Sequence, residues 1–203
     1  MTLANRITVA RFFLIPVFIV FAAYYSESIT SGEERRVFRV LALVTYALAS
    51  ISDAIDGYIA RNFNQSTPLG RVLDPIADKL LLLTGVVTLS VTKWHAGLPI
   101  WFAVLVIARD VVISVGMLII YLTHGKAKVR ARISGKICTF LTLSCVCWVL
   151  VDFWSVGARP WPLEVLIYLA AIFTVVTGYL YLGDGIRQLR EAGHTLPDSE
   201  SSR

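Results

Sequence analysis

Charge is scarce in this chain. Lys, Arg, Asp and Glu together make up 16% of its 203 residues, against 56% that are hydrophobic. Soluble domains carry about 25% charged residues, so an ordinary soluble globule is excluded, and the length suffices for several membrane spans. Cysteine is as sparse: Cys138, Cys145 and Cys147 all fall in one apolar stretch, which excludes a disulfide framework and a zinc spacing and leaves them as small packing residues. The first apolar run, ending near Ala23, lacks the small-residue cleavage pattern of a removed signal peptide, so it is kept as a span. Basic residues exceed acidic ones, giving a net charge of +5. They stand beside apolar runs, where anionic lipid headgroups rather than nucleic acid are the partner.

What is present is a series of apolar segments. Residues 1–9 are polar enough to form a short interfacial segment before the first span, and a polar loop from Ser26 to Arg36 follows it. Further spans are expected near residues 37–60, 70–91, 100–122, 133–151 and 163–182. The fold class is therefore all-α: a polytopic membrane protein with six transmembrane helices, forming one domain over residues 1–190 with a polar tail at 191–203. Six spans place both termini on one side. The loops on that side hold Arg6, Arg61, Arg71, Lys126, Lys128, Arg130 and Arg132, against Arg35, Arg36, Lys93 and Arg159 on the other, which puts the termini in the cytoplasm. Trp94, Trp101, Trp154 and Trp161 sit at span ends and suit an interfacial belt.

Four aspartates break the apolar pattern. Asp53 and Asp56 fall near the end of the second span, Asp74 and Asp78 near the start of the third. At 100° per residue Asp53, Asp56, Gly57, Ala60 and Arg61 occupy an arc of about 140°, and Asp74 and Asp78 lie about one turn apart. Four carboxylates aimed at one point in low dielectric repel and protonate unless cations lie between them. An all-oxygen ligand set suits magnesium or manganese rather than zinc, and His95, His124 and His194 all lie outside the segment. Two divalent ions there would bridge a diphosphate and stabilise both oxygens of an in-line displacement.

The spacing D-x2-D-G-x2-A-R-x8-G-x3-D-x3-D, matched from Asp53 through Gly70 to Asp78, resembles the signature of the CDP-alcohol phosphotransferase (CDP-alcohol phosphatidyltransferase) family of integral membrane enzymes. The stretches from Thr2 to Pro16 and from Leu73 to Lys79 resemble its bacterial phosphatidylglycerophosphate synthase branch. The resemblance implies a phospholipid-biosynthetic transferase of the bacterial inner membrane. It would move a phosphatidyl group from CDP-diacylglycerol to glycerol 3-phosphate and release CMP. Asp53, Asp56 and Asp74 would bind metal, and Asp78 would be the general base and a further metal ligand. Asn5 and Thr8, from an N-terminal Asn-x2-Thr-x2-Arg pattern ending at Arg11, would join Asp56, Gly57, Ala60, Arg61 and Gly70 around the cytidine diphosphate. The other reading of Asn5, Thr8 and Arg11 is helix capping with a snorkelling arginine. A homodimer is implied by the resemblance as well.

Arg109, Arg132 and Lys136 are the candidates for an acceptor phosphate, because a phosphate beside an occupied diphosphate site needs cations of its own. Arg109 is intramembrane and is followed by Asp110, which suits it as a neutralising partner. The Arg109-Asp110 pair looks closer to the cardiolipin synthases of the same superfamily, whose acceptor is phosphatidylglycerol. A non-catalytic divalent-ion membrane protein is the alternative of another class. It calls for acidic groups at midplane depth on several helices, whereas these cluster at one end of two.

Overall fold

The computed structural model describes the backbone of residues 3–62, 70–124, 133–151 and 159–193, and the side chains of residues 11–52, 79–116, 134–151 and 159–183. Among these residues all regular structure is α-helical: α1 (Leu3–Thr30), α2 (Arg36–Asn62), α3 (Gly70–Val91), α4 (Ile100–His124), α5 (Ile133–Val151) and α6 (Trp161–Gly193). Three described stretches, Arg11–Thr30, Ser134–Val151 and Trp161–Gly183, are long and apolar enough to cross a membrane. The protein is all-helical, then, with six helices of which three meet that criterion among the described residues.

Two helices outrun the expected spans. α1 begins at Leu3 and runs unbroken past Ala23, so residues 3–9 form the first turns of the same helix as the first span. Its last turns hold because polar side chains close onto the helix: Ser28 Oγ donates to the Tyr25 carbonyl, and the Thr30 and Ser31 hydroxyls donate to the Ser26 and Glu27 carbonyls. Gly32, at φ +78°, then supplies the left-handed residue that ends the helix. α6 continues to Gly193 instead of stopping near Leu182, as the helix-forming run Arg187-Gln188-Leu189-Arg190-Glu191 favours.

α1 packs against α2 and α3, α4 and α5 pack against α6, and α3 also touches α4 and α5. The core between them is built from Phe18, Tyr25, Tyr46, Val86, Leu89, Phe102, Val149, Leu150 and Leu163. Tyr46 of α2 is its hub: the ring packs on Phe18 of α1, with centroids 5.1 Å apart. On α3 a Cβ added at Gly85 would come 2.8 Å from that ring, so only glycine lets the two helices approach this closely. Outward, α6 shows a helical stripe of Val165, Tyr168, Ile172, Val175 and Tyr179. A long apolar face of this kind suits a lipid environment.

One end of the bundle is closed by its connections. Tyr25 Oη donates to Glu34 Oε1 at 3.1 Å, and Arg36 Nε and His95 Nε2 lie 3.7 and 4.0 Å from the same carboxylate. Lys93 N donates to Ser26 Oγ at 2.8 Å, and Arg159 Nε donates to the Gly97 carbonyl at 2.8 Å. The 92–99 connection folds inward, placing Trp94 edge-on against Tyr25 and burying it to 8% exposure. Trp94 is therefore a core residue and does not join an interfacial belt, whereas Trp161 is 76% exposed and Trp101 46%. Trp154 lies outside the described residues.

Candidate active site

The opposite end carries the residues that the sequence singles out. Asp53, Asp56, Gly57, Ala60 and Arg61 stand on the last turns of α2, and Gly70, Asp74 and Asp78 on the first turns of α3, whose start follows α2 in the chain. Their side chains lie outside the described residues, as do those of Asn5 and Thr8 on the first turns of α1, and all of Arg132. The backbone nevertheless fixes their level. α1 and α2 run antiparallel, with Tyr24 stacked on Phe38 and Phe18 packed at a tilt on Tyr46. Continuing that register brings Arg11 level with position 53. Arg11 is 1% exposed, so it does not snorkel to an interface. It is buried at the height of the aspartates.

A second polar cluster forms where α4, α5 and α6 meet. Arg109 Nη1 donates to Asp110 Oδ1 at 2.7 Å, with the two side chains 15% and 9% exposed. Asp110 thus neutralises the guanidinium, but it leaves Nε buried and without a hydrogen-bond partner. Glycines make the room. A Cβ at Gly178 of α6 would lie 3.7 Å from Arg109 Cγ, and one at Gly135 would lie 3.3 Å from the Tyr181 hydroxyl and 3.8 Å from Arg109 Nη2. Beside them the Ser134 hydroxyl is buried and unpartnered, while its carbonyl accepts from Thr177 Oγ1 at 3.5 Å. Lys136, two residues on, is exposed. Lys79, next to Asp78 in the chain, donates to Ser114 of α4 at 3.1 Å, tying the middle of α3 to the helix that carries Arg109.

Buried cationic and hydroxyl donors without acceptors suit an anionic oxygen ligand, because an unsatisfied buried donor costs about 1–3 kcal/mol. Sequence reasoning found Arg109 but missed Ser134, Gly135, Gly178 and Tyr181. The available signal was the Ser-Gly pair between Arg132 and Lys136, where two small residues at a helix start keep space between two cations.

Among the described residues no group of three or more His, Cys, Asp or Glu is placed to hold a metal; the four aspartates lie outside them. The chemistry of that donor set still fits a hard divalent ion. It is four carboxylates at the adjoining ends of two consecutive helices, with no histidine or cysteine among them.

The family model for CDP-alcohol phosphatidyltransferase matches residues 1–176. A CDP-diacylglycerol--glycerol-3-phosphate 3-phosphatidyltransferase of Rickettsia felis is 33% identical over 181 residues, covering 88% of this chain and 92% of that protein. The Bacillus subtilis protein of the same name is 30% identical over 192 residues, covering 93% and 97%. A cardiolipin synthase (CMP-forming) of Streptomyces coelicolor is 32% identical over 142 residues, covering 69% of this chain and 60% of that protein. With matches of this extent, and with both halves of the aspartate motif brought to one end of the helical bundle, the chain belongs to the CDP-alcohol phosphatidyltransferase family of enzymes.

Proposed function

We propose that this protein transfers the phosphatidyl group of CDP-diacylglycerol to glycerol 3-phosphate with release of CMP. The observation that carries the choice of acceptor is the buried Arg109, with its unpartnered Nε, beside the unpartnered Ser134 hydroxyl at the start of α5. These are donors for a small phosphate-bearing alcohol. The names of the Rickettsia and Bacillus relatives, which align over nearly their whole length, support the same acceptor.

In this reading residues 1–190 form one membrane domain with six spans, and both termini and the aspartates face the cytoplasm of a bacterial cell. A water-soluble headgroup then meets the aspartates while the tails stay in lipid. Asp53, Asp56 and Asp74 hold two magnesium or manganese ions, with Asp78 as a further ligand, and the bound metal neutralises the diphosphate. Gly57, Ala60 and Gly70 leave space for the cytidine diphosphate along α2 and α3, with Asn5, Thr8 and Arg61 around it. Asp78 accepts the proton of the acceptor hydroxyl as its oxygen bonds to the phosphatidyl phosphorus. The bond from that phosphorus to the CMP oxygen breaks, and CMP leaves with the electron pair. Arg109, Arg132 and Lys136 hold the acceptor's phosphate.

The test is CMP release by the purified protein from CDP-diacylglycerol, with glycerol 3-phosphate, phosphatidylglycerol, inositol phosphate or serine supplied singly. Glycerol 3-phosphate is expected to support turnover. A preference for phosphatidylglycerol would overturn the phosphate-pocket argument and make the protein a cardiolipin synthase.

A further inference from the structure

The stripe of α2 that carries the aspartate motif continues toward the middle of the bundle. Tyr46, Ser50 and Asp53 follow one another at i, i+4 and i+7, within about 60° of one face, and Gly57 extends the row. Tyr46 is 1% exposed, and its hydroxyl has no hydrogen-bond partner. The Ser50 hydroxyl is also buried and unpartnered. Six other helical hydroxyls behave differently. Thr45, Ser52, Ser90, Thr142, Ser144 and Thr174 all return theirs to the carbonyl four residues back. Two neighbouring donors on the motif face of α2 are thus left without an acceptor.

Their height identifies the acceptor. Ser50 lies about 4.5 Å and Tyr46 about 10.5 Å below Asp53 along the axis, on the tail side of the site that would hold the diphosphate. The first oxygens met in that direction along a diacylglycerol donor are the ester carbonyls, which accept hydrogen bonds and donate none. Further on, α2 packs against α5. Cys147 lines a largely apolar groove of about 340 Å³ on α5 with Ser144, Trp148 and Val151. From the motif the sequence of environments is carboxylate, hydroxyl, apolar groove. We propose that Tyr46 and Ser50 are specificity-determining residues that donate hydrogen bonds to the ester carbonyls of the donor lipid. One of its tails then lies toward the α5 groove. This inference rests on the phosphatidyl-transfer reading above.

The test compares two donors with the same chain length, CDP-diacylglycerol and its diether analogue, which lacks both carbonyls. KM is measured with each for the wild type, Tyr46→Phe and Ser50→Ala, and thermal unfolding of each protein is followed without substrate. Each substitution is expected to raise the ratio of ester KM to ether KM about three- to tenfold, the worth of one hydrogen bond. Neither should lower the unfolding temperature, since the hydroxyl removed has no partner in the ligand-free protein. A ratio unchanged in both variants would overturn the inference and assign the hydroxyls to buried water. If Tyr46→Phe fails to fold, the Ser50→Ala ratio decides. A wild type that releases CMP from neither donor would remove the proposed function along with this inference. A wild type that uses both donors, while the variants show no change in ratio, removes the inference alone.

Discussion

Arg109 pairs with Asp110, so removing either leaves a buried charge unmatched. Arg109→Lys keeps the charge but loses the planar fork of donors, and it is expected to raise the KM for glycerol 3-phosphate about tenfold with little change for CDP-diacylglycerol. Steady-state kinetics with each substrate varied in turn checks this. The aspartates should fail in two ways. Asp53→Ala, Asp56→Ala or Asp74→Ala is expected to abolish metal and donor binding together, whereas Asp78→Asn keeps donor affinity and loses turnover by at least about 10²-fold. Equilibrium binding of CDP-diacylglycerol measured beside CMP release separates the two. Chelation followed by metal analysis should stop the wild type, and unchanged turnover in metal-free protein would reject the metal site.

At the scale of the helices, packing at glycine gives predictions of opposite sign. Gly85 faces the Tyr46 ring at a distance that admits no Cβ, while an added Cβ at Gly116 meets nothing within 4 Å. Gly85→Leu is expected to destabilise the protein by about 1–3 kcal/mol through overpacking, and Gly116→Ala to stabilise it by up to about 1 kcal/mol through helix propensity. Thermal unfolding in detergent reads both. The helices themselves were largely legible in the sequence. The limits of α3 and α5 follow from where apolar periodicity meets Gly70, the Trp94–Pro99 segment and Val151. The ends of α1 and α6 did not: at α1 the serine and threonine hydroxyls that close back onto the helix read as loop, and at α6 the charged run Arg187-Gln188-Leu189-Arg190-Glu191 reads as a polar tail. The aspartate motif was legible because its residues are chemically out of place in an apolar segment. Ser134, Gly135, Gly178, Tyr181 and the Tyr46 and Ser50 hydroxyls were not, since each is an ordinary residue until tertiary packing removes its partner. Trp94 shows the reverse: its position at a span end suggested an interfacial residue, and only the inward fold of the 92–99 connection buries it.

For the whole molecule, the expected topology is checked by reporter fusions at each terminus, both of which should report from the cytoplasm. The end of the molecule away from the aspartates is tied together at one carboxylate. Around Glu34 the hydroxyl of Tyr25, the cation of Arg36 and the imidazole of His95 converge, and Arg159 ties the start of α6 to Gly97 nearby. The aspartates stand on α2 and α3 at the other end, and α2 alone is 27 residues, about 40 Å, long. One carboxylate thus ties the end of α1, the start of α2 and the connection before α4 together, so three stretches far apart in sequence share a single anchor. Glu34→Ala, which touches no substrate in this reading, is accordingly expected to lower the unfolding temperature in detergent while leaving the KM for both substrates as it was.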